Sequence, residues 1–455
     1  MDLEQFTVVD IRNLSNDHLD KFLIIRGRIH KIRVNGNMSF ITLRYQTHTL
    51  QVVAIKKLLG VDKFKQLSSL TSESIVDIYG KLKASPIRIE ATSYHDFEME
   101  LVAYNVVSLS KQIPFQIDDA NDFGESFRSD VHNNTKLENR WIDLRTPVNN
   151  SIFRIQSAVT QYFREFLLKN NFIEIHSPKL IGMASEGGAQ VFELQYFDKH
   201  AYLAQSPQLY KQMAINSDFD RVFEIGPVFR AENSMGPRHM CEFVGLDMEM
   251  TLTPKRDYRE IQEMLWGCLI HIFDSLKLNC SKEINCIRDK LPSTDPIYPK
   301  DPLIIKFADC AKMLNQDAFE DLNPENEKKL SELVKEKYGS DLFIIDQYPT
   351  NIRPFYTMAC SDNPSYSKSF DVIFKGTEIS SGSQREHDYH NLMNNIKQFK
   401  INPTTLLYYL DSFSHGSRPH GGCGFGLERI VSLYLNLGNV KLASYCPRDP
   451  KRLFP

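Results

Sequence analysis

Residues 228–250 read VFRAENSMGPRHMCEFVGLDMEM, and the architecture of the chain turns on how this stretch is parsed. An apolar segment ends at Arg230, and a polar loop follows with Gly236 and Pro237 as its turn residues. Beyond it Val244, Leu246, Met248 and Met250 alternate with Phe243, Gly245, Asp247 and Glu249, the period of two that marks a strand with one face in the core. The parse is therefore strand, loop, strand. An arginine ends the first strand, and a ring and two carboxylates line the polar face of the second. Taken alone, these residues fit a cross-strand ion pair on a solvated sheet face. Only the rest of the chain can point to something more specialised.

A chain of 455 residues has room for two or three domains. With 42% hydrophobic and 24% charged residues it has the composition of a soluble globular protein. The net charge of −3 offers nucleic acid no global attraction, so any such contact must come from a local patch. No apolar run approaches the length of a membrane span, and MDLEQFTVVD lacks the basic-then-apolar pattern of a secretory signal. The eight cysteines are scattered without a CxxC pair or zinc spacing. They are expected to be inert thiols in a reducing, cytoplasmic setting.

The first hundred residues predict a small β domain. KFLIIRGRIHKI, MSFITLRY and TLQVVAI read as strands, the first two separated by the hairpin signal Asn35-Gly36. A helical stretch follows, and SIVDIYGKL and EMELVAYNVVSL return to strand character. Three strands, a helix and two strands is the order of a five-stranded OB barrel, a fold that commonly binds oligonucleotides. Alternation turns Ile41 and Leu43 inward and Met38, Phe40, Thr42 and Arg44 outward, while Arg26, Arg28 and His30 share a face ending at Arg33. An outward ring among arginines suits base stacking and phosphate contact; equally, Phe40 could be covered by another domain and the arginines merely solvated. Residues 111–140 are polar and turn-rich and read as a linker.

From Trp141 onward helical and strand patterns mix without βαβ alternation, so an antiparallel sheet flanked by helices fits best. One amphipathic helix carries Ile152, Ile155, Val159, Phe163, Phe166 and Leu167. Thr253-Pro254 and Asn323-Pro324 read as helix starts, the second helix ending near Gly339. Three more constellations carry charge. GTEISSGSQREHD (376–388) holds Glu378 and Arg385. PHGGCGFGLERIVSLYLNL (419–437) runs from glycines into a helix with Arg429 near its start. ASEGGAQ (184–190) precedes Gln208 and Lys211. Each has an ordinary explanation as a turn, a solvated lysine or a local ion pair.

In this order, however, FREFLLKNNFIEIHSPKL with Pro178, EIGPVFRAEN…RHMCEFVGLDMEM and GGCGFGLERIV resemble the three signature motifs of class II aminoacyl-tRNA synthetases. Together with the barrel they resemble the aspartyl-tRNA synthetases of the archaeal and eukaryotic cytosolic type, over essentially the whole chain. The resemblance implies an α+β protein: an N-terminal OB-fold β-barrel (1–110) for the anticodon, a linker (111–140), and a class II synthetase catalytic domain (141–455). It implies activation of L-aspartate by ATP with Mg2+, transfer to tRNA(Asp), and a homodimer built around Pro178.

By the same resemblance Arg230 would bind the α-phosphate, Phe243 would stack on adenine, and Arg429 would clamp the γ-phosphate. Glu232, Arg238 and His239 complete the ATP set. Glu378 would carry magnesium with Ser381, with Asp371 or Glu249 nearby, though strict alternation puts Glu378 and Ser381 on opposite strand faces unless the strand bulges towards Gly382. Arg385 would hold the aspartate β-carboxylate, reinforced by Lys211 and oriented by Asp247, while Gln208, Ser185 and Glu186 hold the rest of the substrate. Arg33, Phe40, Gln51 and Glu100 would read the anticodon, and Asn233 and Ser234 would meet the acceptor end. Lysyl and asparaginyl enzymes share this architecture, but a basic pocket favours an anionic side chain. An asparagine synthetase on the same core would have no use for the barrel, and an inactive RNA-binding paralogue would not be expected to keep Arg230, Glu378, Arg385 and Arg429.

Overall fold

The structure, a computed structural model, describes residues 5–121, 131–182 and 191–455. It divides into two compact units, Met1–Asn150 and Ser151–Pro455.

In the first unit five strands, β1 (Phe22–Asn35), β2 (Met38–Tyr45), β3 (His48–Ile55), β4 (Ile75–Ala84) and β5 (Phe97–Ser108), run in the order β1-β2-β3-β5-β4. A second pairing of β1 with β4 closes them into a barrel, the OB arrangement. Helix α1 (Val61–Ser68) bridges β3 and β4. Gly36, at φ +58°, makes the first hairpin turn, where a side chain would be strained. Ile25, Ile41, Leu43, Val52, Ile78 and Met99 fill the interior, so Ile41 and Leu43 point where alternation puts them.

Arg44 does not point outward. It is 4% exposed and bonds both oxygens of Glu73, at 2.6 and 2.7 Å. Arg145 joins the same carboxylate at 2.9 Å. A buried carboxylate needs cations around it, and that need overrides strand alternation. The basic row on β1 is also spent internally: Arg26 on Asp77 at 2.6 Å, Arg28 on the Glu73 carbonyl at 3.1 Å, His30 beside Asp118 at 3.0 Å. Arg33 instead lies over the ring of Phe40, 5.4 Å from its centroid.

The expected linker holds structure. Helices Ile117–Asn121, Asn133–Glu138 and Arg140–Asp143 gather around a core of Phe115, Ile117, Ala120 and Ile142. These anchors are too widely spaced to give a periodic signal in a polar stretch.

In the second unit an eight-stranded sheet carries the site. Its strands are β6 (Ile173–Glu174), β7 (Arg221–Phe229), β8 (Glu242–Thr251), β9 (Ile304–Lys306), β10 (Leu342–Asp346), β11 (Ser369–Phe374), β12 (Thr377–Gln384) and β13 (His420–Gly426), in the order β9-β10-β11-β12-β13-β8-β7-β6. The six inner strands are mutually antiparallel, and the two short edge strands are parallel to their neighbours. Lys375 and Gly376, at φ 45° and 80°, form the tight β11–β12 turn, matching the right-handed twist of the strands. Helices α2 (Pro147–Lys169), α3 (Gln208–Asn216), α4 (Arg259–Asn279), α5 (Pro324–Tyr338) and α6 (Leu427–Tyr434) flank the sheet. Phe273 of α4 stacks on Phe374 and Tyr434, with centroids 5.0 and 5.5 Å away.

Asn323 caps α5 through the Asn326 amide at 2.9 Å, and Gly339 ends it in a left-handed conformation, as Asn323-Pro324 and Gly339 predict. Thr253-Pro254 does not open a helix. Lys255 is left-handed at φ 69°, and α4 starts only at Arg259, with Glu260 accepting from the Thr253 amide at 3.0 Å. The glycine run at 421–426, read as a turn into a helix, is strand β13 itself, and α6 begins one residue later.

Candidate active site

Strands β7 and β8 pair along their whole length, so Arg230 sits just beyond one end of the register and Asp247 and Glu249 lie well inside it. Neither carboxylate is on a solvated face: Asp247 is 8% exposed and Glu249 0%. Strand β13 covers them, pairing Asp247 with Gly424 and Glu249 with Gly422. The glycines make this cover possible. A Cβ on Gly422 would fall 2.0 Å from the Met248 carbonyl oxygen, and one on Gly424 would fall 2.8 Å from Asp247 Oδ1.

Two cations from elsewhere complete the buried cluster. Lys211, on α3 and fully buried, donates to Asp247 Oδ1 at 2.9 Å and to the carbonyls of Met248 and Cys423 at 3.3 Å; its Nζ is 3.5 Å from Glu249. Arg385, just past β12, turns Nε and Nη2 onto the two oxygens of Glu249 at 2.8 and 3.1 Å. Nη2 also reaches Gln208 Oε1 at 3.1 Å and the Gly422 carbonyl at 3.0 Å, while Nη1 donates to Ser383 Oγ at 2.6 Å. Burial pushes the Asp247 carboxyl up in pKa against the pull of Lys211. Burial also acts upward on Glu249, but Arg385 and Lys211 overcome it and leave its pKa lowered. His420, buried at the start of β13, is pushed down to about 4 by burial and stays neutral at pH 7.

A cleft of about 270 Å³ opens beside this cluster. Its walls include Gln208, Arg230, Glu232, Arg238, His239, Phe243, Asp247, Glu378, Ser381, Arg385 and Arg429, so sequence-predicted residues from four separate stretches meet in one place. Lys211 is not on the wall; it stands behind Asp247. Glu249, expected towards the nucleotide, is the partner of Arg385 instead. Ser185 and Glu186 lie outside the described residues.

Arg230 sits over the Phe243 ring at 5.4 Å, and Arg238 donates to Glu327 at 2.9 Å. His239 Nδ1 is 3.1 Å from Ser234 Oγ, and Asn233 borders a neighbouring groove with Glu232 and Arg448. Arg429 donates through Nη1 to the Glu378 carbonyl at 2.8 Å. Glu378 and Ser381 both reach the cleft because β12 is bulged. Val372 pairs with Ser380 and Ile373 with Glu378, leaving Ile379 as the extra residue. The bulge lies between the two residues rather than towards Gly382. Burial and the nearby Asp371 carboxylate push Glu378 up to about 7, against Arg429 and Arg353.

Sequence reasoning missed Arg353, which lines the cleft from a loop before Pro354 and bonds Asp371. Its only signal is a lone arginine in NIRPFYT, a stretch without period. Arg418, whose role the motifs do not suggest, is an anchor: it pairs with Asp220 and lies 3.6 Å from Asp218, tying the approach to β13 onto the turn after α3. On the barrel, Gln51 donates to Glu98 at 3.0 Å and Glu100 accepts from Lys83 at 2.5 Å.

For a divalent cation, the described residues contain no group of three or more His, Cys, Asp or Glu side chains placed to hold a metal. Mg2+ sites often use only one or two carboxylates plus substrate phosphates. Glu378, with its raised pKa, is on the cleft wall, and Asp371, bonded by Arg353, stands behind it.

A family described as "tRNA synthetases class II (D, K and N)" matches residues 132–450, and "OB-fold nucleic acid binding domain" matches residues 23–109. The cytoplasmic aspartate–tRNA ligase of Caenorhabditis elegans is 41% identical over 462 residues, covering 98% of this chain and 87% of that protein. The solved aspartyl tRNA synthetase from Entamoeba histolytica superimposes with a TM-score of 0.90 at 40% identity, covering 99% of this chain and 93% of that one. The asparaginyl-tRNA synthetase from Pyrococcus horikoshii, solved with asparaginyl-adenylate, gives 0.86 at 30% identity, covering 98% and 99%.

Proposed function

Because the chain belongs to the class II tRNA synthetases of the D, K and N group, we propose that it is an aspartate–tRNA ligase of cytosolic translation. It joins L-aspartate to ATP as aspartyl-adenylate, releases pyrophosphate, and transfers the aspartyl group to the 3′-terminal adenosine of tRNA(Asp).

The observation that carries the choice of amino acid is the Arg385 fork. Glu249 holds its Nε/Nη2 edge, and among the described residues Nη1 has only the Ser383 hydroxyl as partner. A planar cation fixed on one edge and lightly held on the other suits a carboxylate ligand and repels an ammonium. Gln208 keeps a buried Nε2 with no partner among the described residues, a donor ready for a substrate oxygen. Lys211 acts from behind, fixing Asp247 and Glu249. No protein base is needed, because the α-carboxylate of aspartate is itself the nucleophile. It forms a bond to the α-phosphorus as the bond to the pyrophosphate oxygen breaks. Arg230 and Arg429 bind the charged phosphates and stabilise the charge shifted onto them, while Phe243 offers its ring to adenine. Mg2+ held by Glu378, with Ser381 and Asp371 adjacent, would neutralise the polyphosphate.

For tRNA, Phe40 offers a half-buried ring beside the exposed Arg33 for anticodon bases, Gln51 and Glu100 add polar edges, and Asn233 and Ser234, in the loop between β7 and β8, would meet the acceptor end. A homodimer around Pro178 is supported by the exposed apolar side chains of Leu168, Ile173 and Leu180 near it.

The test is ATP–pyrophosphate exchange with aspartate, asparagine or lysine, for the native protein and Arg385→Ala, both checked as folded by circular dichroism. Exchange is expected with aspartate alone. The variant should lose at least about thirtyfold in kcat/KM, the effect of removing a buried charged contact worth roughly 2–5 kcal/mol. Exchange with none of the three would end the enzyme reading in favour of an RNA-binding paralogue.

A further inference from the structure

Arg353 is held on three sides. Its guanidinium carbon lies 3.7 Å from the Tyr348 ring centroid. Nη2 donates to Asp371 Oδ2 at 2.7 Å, and Nη1 to Ser381 Oγ at 3.3 Å. The pairing is single-point, one nitrogen on one oxygen, and not the bidentate fork that arginine–carboxylate pairs frequently form. Here Arg353 Nε is buried with no partner among the described residues, and Asp371 Oδ1, also buried, takes no bond from the guanidinium.

Position explains the mismatch. Arg353, Ser381 and Glu378 line the cleft, but Asp371, directly opposite Ser381 across the β11–β12 ladder, does not. The guanidinium therefore caps the second carboxylate and engages the serine beside the first. Neighbouring carboxylates repel unless a cation stands near them; Arg429 and Arg353 both act on Glu378, and Arg353 is the one bonded to Asp371. We propose that Arg353 is a positioning residue that stands in for the divalent cation: it holds Asp371 and Ser381 in the nucleotide-free protein and must release Asp371 before a metal ion at Glu378 can use it.

The inference rests on the reading of Glu378 as the metal-bearing carboxylate, and its test uses the metal alone. Mn2+ binding to the nucleotide-free, full-length protein is followed by electron paramagnetic resonance, with thermal melts for each variant. The native protein is expected to bind Mn2+ weakly. Arg353→Gln, which removes the charge and shortens the side chain while keeping it polar, should bind on the order of tenfold tighter, as expected when a unit charge several ångströms from a divalent ion is removed. Arg353→Lys keeps the charge but loses the planar fork, and should fall between the two; if the glutamine variant does not fold, the lysine variant decides. Mn2+ affinity equal to or below native in the folded variants would overturn the proposal, because a merely structural arginine does not compete with a metal. Aspartate-dependent exchange by the native protein, measured alongside, separates failure of this inference from failure of the enzyme reading.

Discussion

Glu249 carries more of the site than its sequence position suggests. It is fully buried, bonded twice by Arg385 and 3.5 Å from Lys211, so its charge is the reason two cations can share a dry pocket. Removing one partner of a buried ion pair leaves the other uncompensated, at a cost of about 3–5 kcal/mol. Glu249→Gln is therefore expected to lower unfolding stability by about 3 kcal/mol in a denaturant titration and to raise KM for aspartate far more than KM for ATP. A stability change under about 1 kcal/mol would contradict the pairing. At this scale Arg230, Glu378, Arg385 and Arg429 were legible because each sits in a recognisable run of neighbours. Arg353 and the partnership of Glu249 were not, since both depend on contacts between stretches far apart in the chain.

Strand β13 shows the element scale. Its glycines looked like a ligand loop, yet their demand is internal: the neighbouring strand's carboxylates occupy the space where side chains would be. Two alanine substitutions separate these ideas. Gly422→Ala forces a methyl against the Met248 carbonyl and Glu249 and should cost more than about 3 kcal/mol or prevent folding. At Gly426 the nearest atom to an added Cβ is 3.5 Å away, so Gly426→Ala should stay within about 1 kcal/mol. Equal stability of the two variants would refute the close-approach argument. Elements with local punctuation were readable, as with Asn323-Pro324 and Gly339 bounding α5. The Ile379 bulge was readable only as a requirement: alternation said that Glu378 and Ser381 could not share a face, and the register shift shows how they do.

At the scale of the whole molecule the two units divide the proposed reaction. Activation needs only the cleft of the second, and tRNA selection draws on the barrel of the first. Phe40→Ala is expected to reduce aminoacylation of tRNA(Asp) by about 5- to 100-fold, the value of one lost base stack, while aspartate-dependent pyrophosphate exchange, which involves no tRNA, changes by less than about twofold. A parallel fall in both would place Phe40 in folding instead. The barrel was legible strand by strand because alternation and a hairpin turn are local signals. Its charge pattern was not: Arg26, Arg28 and Arg44 read as a basic face and proved to be counter-ions for Asp77 and Glu73. Period and turn residues thus determined the barrel and several strands of the main sheet from the sequence alone, and the family resemblance carried by motif order pointed to eleven of the residues that line the cleft. The tertiary structure decided which charges meet water and which meet each other, because burial depends on what a neighbouring strand or loop lays over a side chain, and no local pattern encodes that.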